Sequence, residues 1–214
     1  MLDSKGFDKW SGDYDENIRN SYGYPFDGYY EVLKFVQNKI EIGKKIKILD
    51  LGVGTGELTR ELYKQGVCIY GVDFSSAMIE RARQKMSIAN FYYFDFNSGL
   101  PKELENEKFE YIVSSYAFHH IDNQSKIEFI TKLKSNLKTN GRILLADVAF
   151  ETRNNLDKCK KKYDSEWDSD EFYMIGNDMV EAIKKNGLDA IYTQISMCAG
   201  VLEIFELNTE KNGI

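Results

Sequence analysis

Apolar and polar positions along the chain fall into short runs that switch between two periods. "KIKILDL" (Lys45–Leu51) is nearly continuous in apolar residues, as expected of a strand buried on both faces. "TGELTRELYKQG" follows, with Leu58 and Leu62 at helical spacing and Gly66 as its stop. "VCIYGVDF" predicts a second strand. "SSAMIERARQKM" predicts a helix capped by Ser75 or Ser76, with Met78, Ala82 and Met86 on one face. "NFYYFDF" and "FEYIVSSY" read as strands three and four. "NQSKIEFITKLKSNLKTNG" predicts a helix with Ile127, Ile130, Leu133 and Leu137 inward, ended by Asn140-Gly141. "RILLADVAF" is a fifth strand, "DMVEAIKKNG" a short helix, and "LDAIYTQIS" and "GVLEIFEL" two closing strands.

Strands alternating with helices predict an α/β fold with a parallel sheet covered on both faces. Only "MCAG" separates the last two strands, which suits a hairpin, so one of them should run antiparallel. Two stretches fall outside the alternation, residues 1–40 and residues 150–176. Both are polar and rich in aromatics, Trp10 and Tyr14 in the first, Trp167 and Tyr173 in the second.

Composition narrows the class. The chain has 214 residues and 43% hydrophobic residues, enough for one core. A net charge of −6 argues against a phosphate backbone as partner, so nucleic acid is not expected. The basic run "KCKKKY" is read as a solvated helix face. Cys68, Cys159 and Cys198 are scattered, with no paired or metal-like spacing, which suggests reduced thiols. The N-terminus does not read as a signal peptide, and no apolar run approaches the length of a membrane span. The expectation is a cytoplasmic protein with no membrane partner, monomeric or homodimeric.

The chemistry begins at "ILDLGVGTGELTREL". Gly52, Gly54 and Gly56 can take positive φ and let a ligand approach the backbone. A dinucleotide fingerprint needs G-x-G-x-x-G, but Glu57 stands at the third position, and no Gly-Lys-Ser/Thr follows for a phosphate loop. An acidic residue opening the helix also disfavours a pyrophosphate there. Asp73 ends strand two, where a carboxylate can accept both hydroxyls of a ribose. Asp95 ends strand three and can accept from an exocyclic amine, with Phe96 beside it for an adenine face, although "DFNSG" is also good turn chemistry.

Taken together, "ILDLGVGTGELTREL", "YGVDFSSAMIERAR", "FYYFDFNSGLP" and "YIVSSYAFHHI" resemble the class I S-adenosylmethionine-dependent methyltransferases. The chain is most similar to their small bacterial YrrT-type branch, through "VSSYAFHH", "LLADVAFE" and an N-terminal Phe7, Trp10, Tyr14, Asp15 pattern. The resemblance implies a Rossmann-like, seven-stranded, mostly parallel sheet of order 3-2-1-4-5-7-6 with strand seven antiparallel. It also implies an N-terminal helical lid at 1–40 and a methyltransferase domain at 41–214, with 150–176 as a substrate-side insertion. The cofactor would be S-adenosyl-L-methionine and the product S-adenosyl-L-homocysteine. Asp50 and Gly52–Gly56 would cradle the methionine part and the ribose, and Asp73 would hold the ribose hydroxyls. Phe74 and Met78 would flank the adenine. Asp95 would take its amine, with the Phe96 backbone near a ring nitrogen. Ser114 would face the methionine amino end, and Trp10 and Tyr14 would close over the cofactor.

His119 and His120 follow strand four, where an acceptor should meet the methyl group. Either can serve as a general base, and Tyr116 in the same loop joins them as a candidate catalytic residue. No metal site is expected, because adjacent histidines should point apart and, beyond Asp122, no further ligand is evident. The absence of proline in "SSYAF" disfavours exocyclic amines of DNA bases, so a small-molecule acceptor is expected. Two alternatives remain at this stage: a non-catalytic protein binding S-adenosylmethionine or its demethylated product, and an NAD-dependent oxidoreductase.

Overall fold

The computed structural model describes residue 18, residues 23–43 and residues 45–206. Eight strands form one sheet: β1 (Lys47–Leu51), β2 (Cys68–Asp73), β3 (Asn90–Tyr93), β4 (Phe109–Ser115), β5 (Leu137–Phe150), β6 (Met174–Ile175), β7 (Asp189–Gln194) and β8 (Ala199–Phe205). The order is β3-β2-β1-β4-β5-β8-β7, with β6 paired to β5 off this path. β8 is antiparallel to both neighbours and every other pair is parallel. The expected order is therefore present, with β8 as the antiparallel strand. The additional strand, β6, lies in the 150–176 stretch and pairs Met174 with Ala149 and Ile175 with Phe150 of β5.

The strand pattern explains the two cores. Neighbouring residues point to opposite faces. Ile48, Leu144 and Val201 join one core with helix α1 (Tyr29–Asn38), while Leu49, Leu145 and Leu202 join the other. The central strands are apolar on both sides because helices cover both. Edge strand β3 is exposed or half-buried throughout.

Short helices connect the strands: α2 (Arg60–Lys64), α3 (Ser76–Lys85), α4 (Asn123–Leu133), α5 (Arg153–Lys162) and α6 (Gly176–Lys185). Ser75 caps α3 by accepting from Met78 N at 3.2 Å, and Asp122 caps α4 by accepting from Gln124 N and Ser125 N. The lysines of "KCKKKY" lie on the outer face of α5 while Cys159 is buried. The predicted helix after "NQSK" ends earlier than its pattern suggests. α4 stops at Leu133, a short turn follows, and Leu137 already pairs with Phe109 as the start of β5. Asn136 enforces the break, its side-chain amide donating to Leu104 O, Glu105 O and Glu107 O. Asn140 (φ 64°) then marks a register shift inside β5 rather than a helix end.

The segment before β1 is tied to the far end of the sheet. Ser196 Oγ donates to Asp27 O at 2.6 Å, Met197 N donates to Asp27 Oδ2 at 3.2 Å, and Lys39 pairs with buried Glu203 at 2.9 Å. No helix among the described residues is long and apolar enough to cross a membrane.

Candidate active site

β1 brings Asp50 and Leu51 to the carboxyl edge of the sheet beside the end of β2. The chain then turns through Gly52, Gly54 and Gly56 at φ 70, 53 and 84°, a region only glycine enters without cost. Gly52 N and Val53 N both donate to Val72 O, at 2.8 and 3.0 Å, which stitches the loop across β2. At Gly52 a Cβ would stand 2.5 Å from Ala117 Cβ, so the loop after β4 packs directly on this glycine. At Gly54 a Cβ would meet nothing within 4 Å. The middle of the loop thus presents backbone to open space.

Two carboxylates flank it. Asp73, buried at the end of β2, accepts from Gly54 N through Oδ2 and from Ser75 N through Oδ1, both at 2.8 Å. It clamps the loop and orders the start of α3. A carboxylate oxygen accepts more than one hydrogen bond, so this duty is compatible with a ribose. Asp50 is 1% exposed. Its Oδ2 accepts from Thr59 Oγ at 2.8 Å, and its buried Oδ1 has no hydrogen-bond partner among the described residues. Burial pushes the Asp50 carboxyl up to about 7, and the neighbouring Asp73 charge adds to the effect against the Thr59 bond.

The remaining cofactor candidates divide. Asp95 is exposed and caps the turn Phe96–Ser98 by accepting from Asn97 N at 3.0 Å. The Phe96 ring is buried, stacked near Phe118 and Phe129 at 5.5 and 5.9 Å. That packing conflicts with a ring-face contact to adenine and leaves the backbone role. Phe74 is half-buried, and Met78 lies buried at 2% exposure. Ser114 is buried and donates to Leu51 O at 2.7 Å, tying β4 to β1. Trp10 and Tyr14 lie outside the described residues. Glu57 is paired with Arg60 at 2.9 Å and Lys85 at 2.8 Å, so its charge is taken up locally. The electrostatic objection to a phosphate weakens, while the missing third glycine stands.

The loop after β4 carries the second half of the site. Tyr116 sits at φ 51°, unusual for a side-chain-bearing residue, with its ring 4.9 Å from Tyr29 and 5.9 Å from Phe26. His119 is buried. Its Nδ1 stands 2.5 Å from Asp147 Oδ1 on β5, and its backbone N–H donates to Asp147 Oδ2 at 3.0 Å. Asp147 thereby fixes the ring and leaves Nε2 outward. Burial disfavours charge on His119, but the Asp147 charge and hydrogen bond, aided by Glu171, outweigh it and raise the imidazole's pKa. His120 goes the other way, pushed down to about 4 by burial and the His119 charge.

The histidines do not point apart as their adjacency suggested. The turn Phe118–His120 brings the two rings to 4.1 Å between centroids. Glu171 Oε1 approaches His119 Nε2 at 3.6 Å. Asp122, the carboxylate weighed from the sequence, is exposed and serves as a helix cap instead. Behind the cluster, Lys126 is fully buried and donates to Asn123 Oδ1 at 3.0 Å and to Phe172 O. Burial lowers its pKa to about 8. Phe172 N in turn donates to His119 O at 2.8 Å. The 150–176 stretch also meets the N-terminal segment, with the Tyr24 ring stacked on Trp167 at 5.1 Å.

Three residues here escaped the sequence reading: Asp147, Glu171 and Lys126. Two had a signal. Asp147 is a lone carboxylate inside the apolar run "LLADVAF", and Lys126 lies on the stripe of Ile130 and Leu133. Charges in such positions require partners.

A sheet of this order with one antiparallel strand, a glycine loop after β1 and carboxylates ending β1 and β2 is the class I methyltransferase architecture. Residues 42–207 match the family described as a methyltransferase domain. An uncharacterized methyltransferase of Anoxybacillus flavithermus is 37% identical over 150 residues, 69% of this chain and 68% of that one. The YrrT methyltransferase of Halobacillus halophilus, also described as uncharacterized, is 27% identical over 92% of this chain and 94% of its own. Among solved structures, the DhpI–SAH complex superposes with a TM-score of 0.70 at 14% identity, over 96% of this chain and 95% of DhpI. This chain belongs to the methyltransferase domain family.

Proposed function

We propose that the chain transfers a methyl group from S-adenosyl-L-methionine to a small-molecule acceptor. One observation carries this reading: the glycine loop follows directly on buried Asp50, is held by Asp73 through Gly54 N, and packs through Gly52 on the loop that bears His119 and His120. Cofactor and acceptor would then meet across a few ångströms of backbone. The fit to the cofactor rests on the open space at Gly54 and on the buried Asp50 oxygen, which a cationic amino or sulfonium group would complement. When bound, the cofactor supplies a methyl group already activated on sulfur.

The protein's part is alignment and exclusion of water. Asp73 would hold the ribose, Asp95 and the Phe96 backbone the adenine edge, and Ser114 the methionine end. His119, His120 and Tyr116 would form the acceptor end. Residues 1–40 would act as a lid over a domain spanning 41–214, with 150–176 closing the substrate side. The aromatic contact of Tyr24 with Trp167 supports this arrangement. A cytoplasmic location fits the reading.

Calorimetry with S-adenosylmethionine, S-adenosylhomocysteine and NAD in parallel tests it. Micromolar binding of the first two without NAD is the expected result. Binding of NAD alone would overturn the proposal. Once an acceptor is found, His119→Ala and His120→Ala should lose turnover far more than cofactor affinity. Full turnover in both would remove them from the acceptor end.

A further inference from the structure

The polar cluster after β4 has the spacing of a coordination site. One ligand atom each from His119, His120 and Glu171 lies within 4.8 Å of the other two. Around a tetrahedral ion with bonds of about 2.0–2.1 Å, ligand atoms stand roughly 3.3 Å apart. His119 Nε2 and Glu171 Oε1, at 3.6 Å, are already close to that value. The remaining ligand has at most about 1.5 Å to close, within reach of a small side-chain rotation.

The surroundings are built for the same purpose. A metal-bound histidine commonly gives its other ring N–H to a carboxylate, which fixes ring and tautomer. Asp147 does this for His119 at 2.5 Å and also accepts its backbone N–H. Glu171 is not on a free loop. The next residue, Phe172, is bonded through N to His119 O and through O to buried Lys126. The segment that supplies the carboxylate is thus pinned to the turn that supplies both imidazoles.

We propose that His119, His120 and Glu171 bind a divalent transition-metal ion, with at least one position left open for an oxygen of the methyl acceptor. Two imidazoles and one carboxylate suit zinc, iron, cobalt, nickel or manganese better than magnesium or calcium. Three protein ligands with an open position are the pattern of catalytic rather than structural sites. A hydroxyl entering that position forms a metal–oxygen bond, loses its O–H bond and releases the proton to solvent. No group is oxidised or reduced. The acceptor's part in this rests on the methyltransferase reading, whereas ion binding itself does not.

The test uses the whole chain stripped with a chelator and titrated with cobalt(II), followed by visible absorption. Calorimetry with S-adenosylhomocysteine is run on the same preparations. A single equivalent of cobalt should bind. His119→Ala and Glu171→Gln should each weaken it at least about tenfold, and Asp147→Asn about 10- to 100-fold. All three should bind S-adenosylhomocysteine as the parent does. Glu171→Gln, outside the sheet, keeps the test valid if His119→Ala fails to fold. Absence of a cobalt spectrum, or an affinity unchanged in both ligand variants, would overturn the site even with intact S-adenosylhomocysteine binding. Cobalt binding without S-adenosylhomocysteine binding would leave the ion site standing and remove the cofactor reading.

Discussion

Asp50→Asn isolates the cost of a carboxylate held in the floor of the site without a ligand. Burial raises the Asp50 pKa from 3.8 to about 7. The folded state therefore holds the proton more tightly than the unfolded chain. Stability from this group is full below the unfolded value and is lost as pH rises toward the folded one. Linkage with these two values gives a penalty of about 2 kcal/mol near pH ~5 and about 4 kcal/mol near pH ~8. Asparagine removes the titration but places an amide where Oδ1 lay, at a cost of about 1–3 kcal/mol that does not vary with pH. Its carbonyl can still accept from Thr59. The variant should therefore gain about 2–3 kcal/mol relative to the parent between the two conditions. Urea unfolding of both proteins at both pH values, without ligand, measures this directly. An equal difference at the two pH values would refute the buried, uncompensated carboxylate. A cationic ligand group beside Asp50 should also draw a proton off the parent near neutrality, visible as a buffer-dependent heat of binding.

Other sites give sharper functional readouts. Asp73→Ala should weaken S-adenosylmethionine at least tenfold, a loss of about 1.5–3 kcal/mol, and unchanged calorimetry would disprove its ribose role. Gly52→Ala combines a φ of 70° with a 2.5 Å approach to Ala117 and should cost about 2–3 kcal/mol of stability. A melting point equal to the parent's would show that the two loops do not pack as described. Lys126→Met trades two hydrogen bonds for relief of a buried cation, so global stability should change by less than about 1 kcal/mol. Hydrogen exchange at the Phe172 amide should nevertheless accelerate, and protection equal to the parent's would show that Lys126 does not hold this segment.

The sheet was legible because its signals are local. A nearly continuous apolar run marked β1 as buried on both faces, the short "MCAG" link required one of the last two strands to run antiparallel, and the family resemblance supplied the strand order and the choice of β8. The end of α4 was not legible. Leu133 and Leu137 are four apart whether or not a helix continues, and the break comes from Asn136 bonding to carbonyls about thirty positions earlier. The glycine loop and Asp73 showed themselves at strand ends, whereas Asp50 entered only through the family resemblance. Glu171 lies in a stretch without periodicity, and nothing in its neighbours announces that it reaches His119. The convergence of the two adjacent histidines follows from the turn Phe118–His120 and from Asp147 fixing the His119 ring, which no pattern along the chain encodes.

The hydrogen bond from Ser196 to Asp27 spans 169 positions. The segment around Asp27 is thus anchored on the turn between the last two strands, a contact of high sequence separation. Phe26 and Tyr29 meet Tyr116 and Tyr24 stacks on Trp167, so their apolar faces are covered only once these distant segments are in place. Assembly of the candidate site is thereby coupled to folding of the last strand pair.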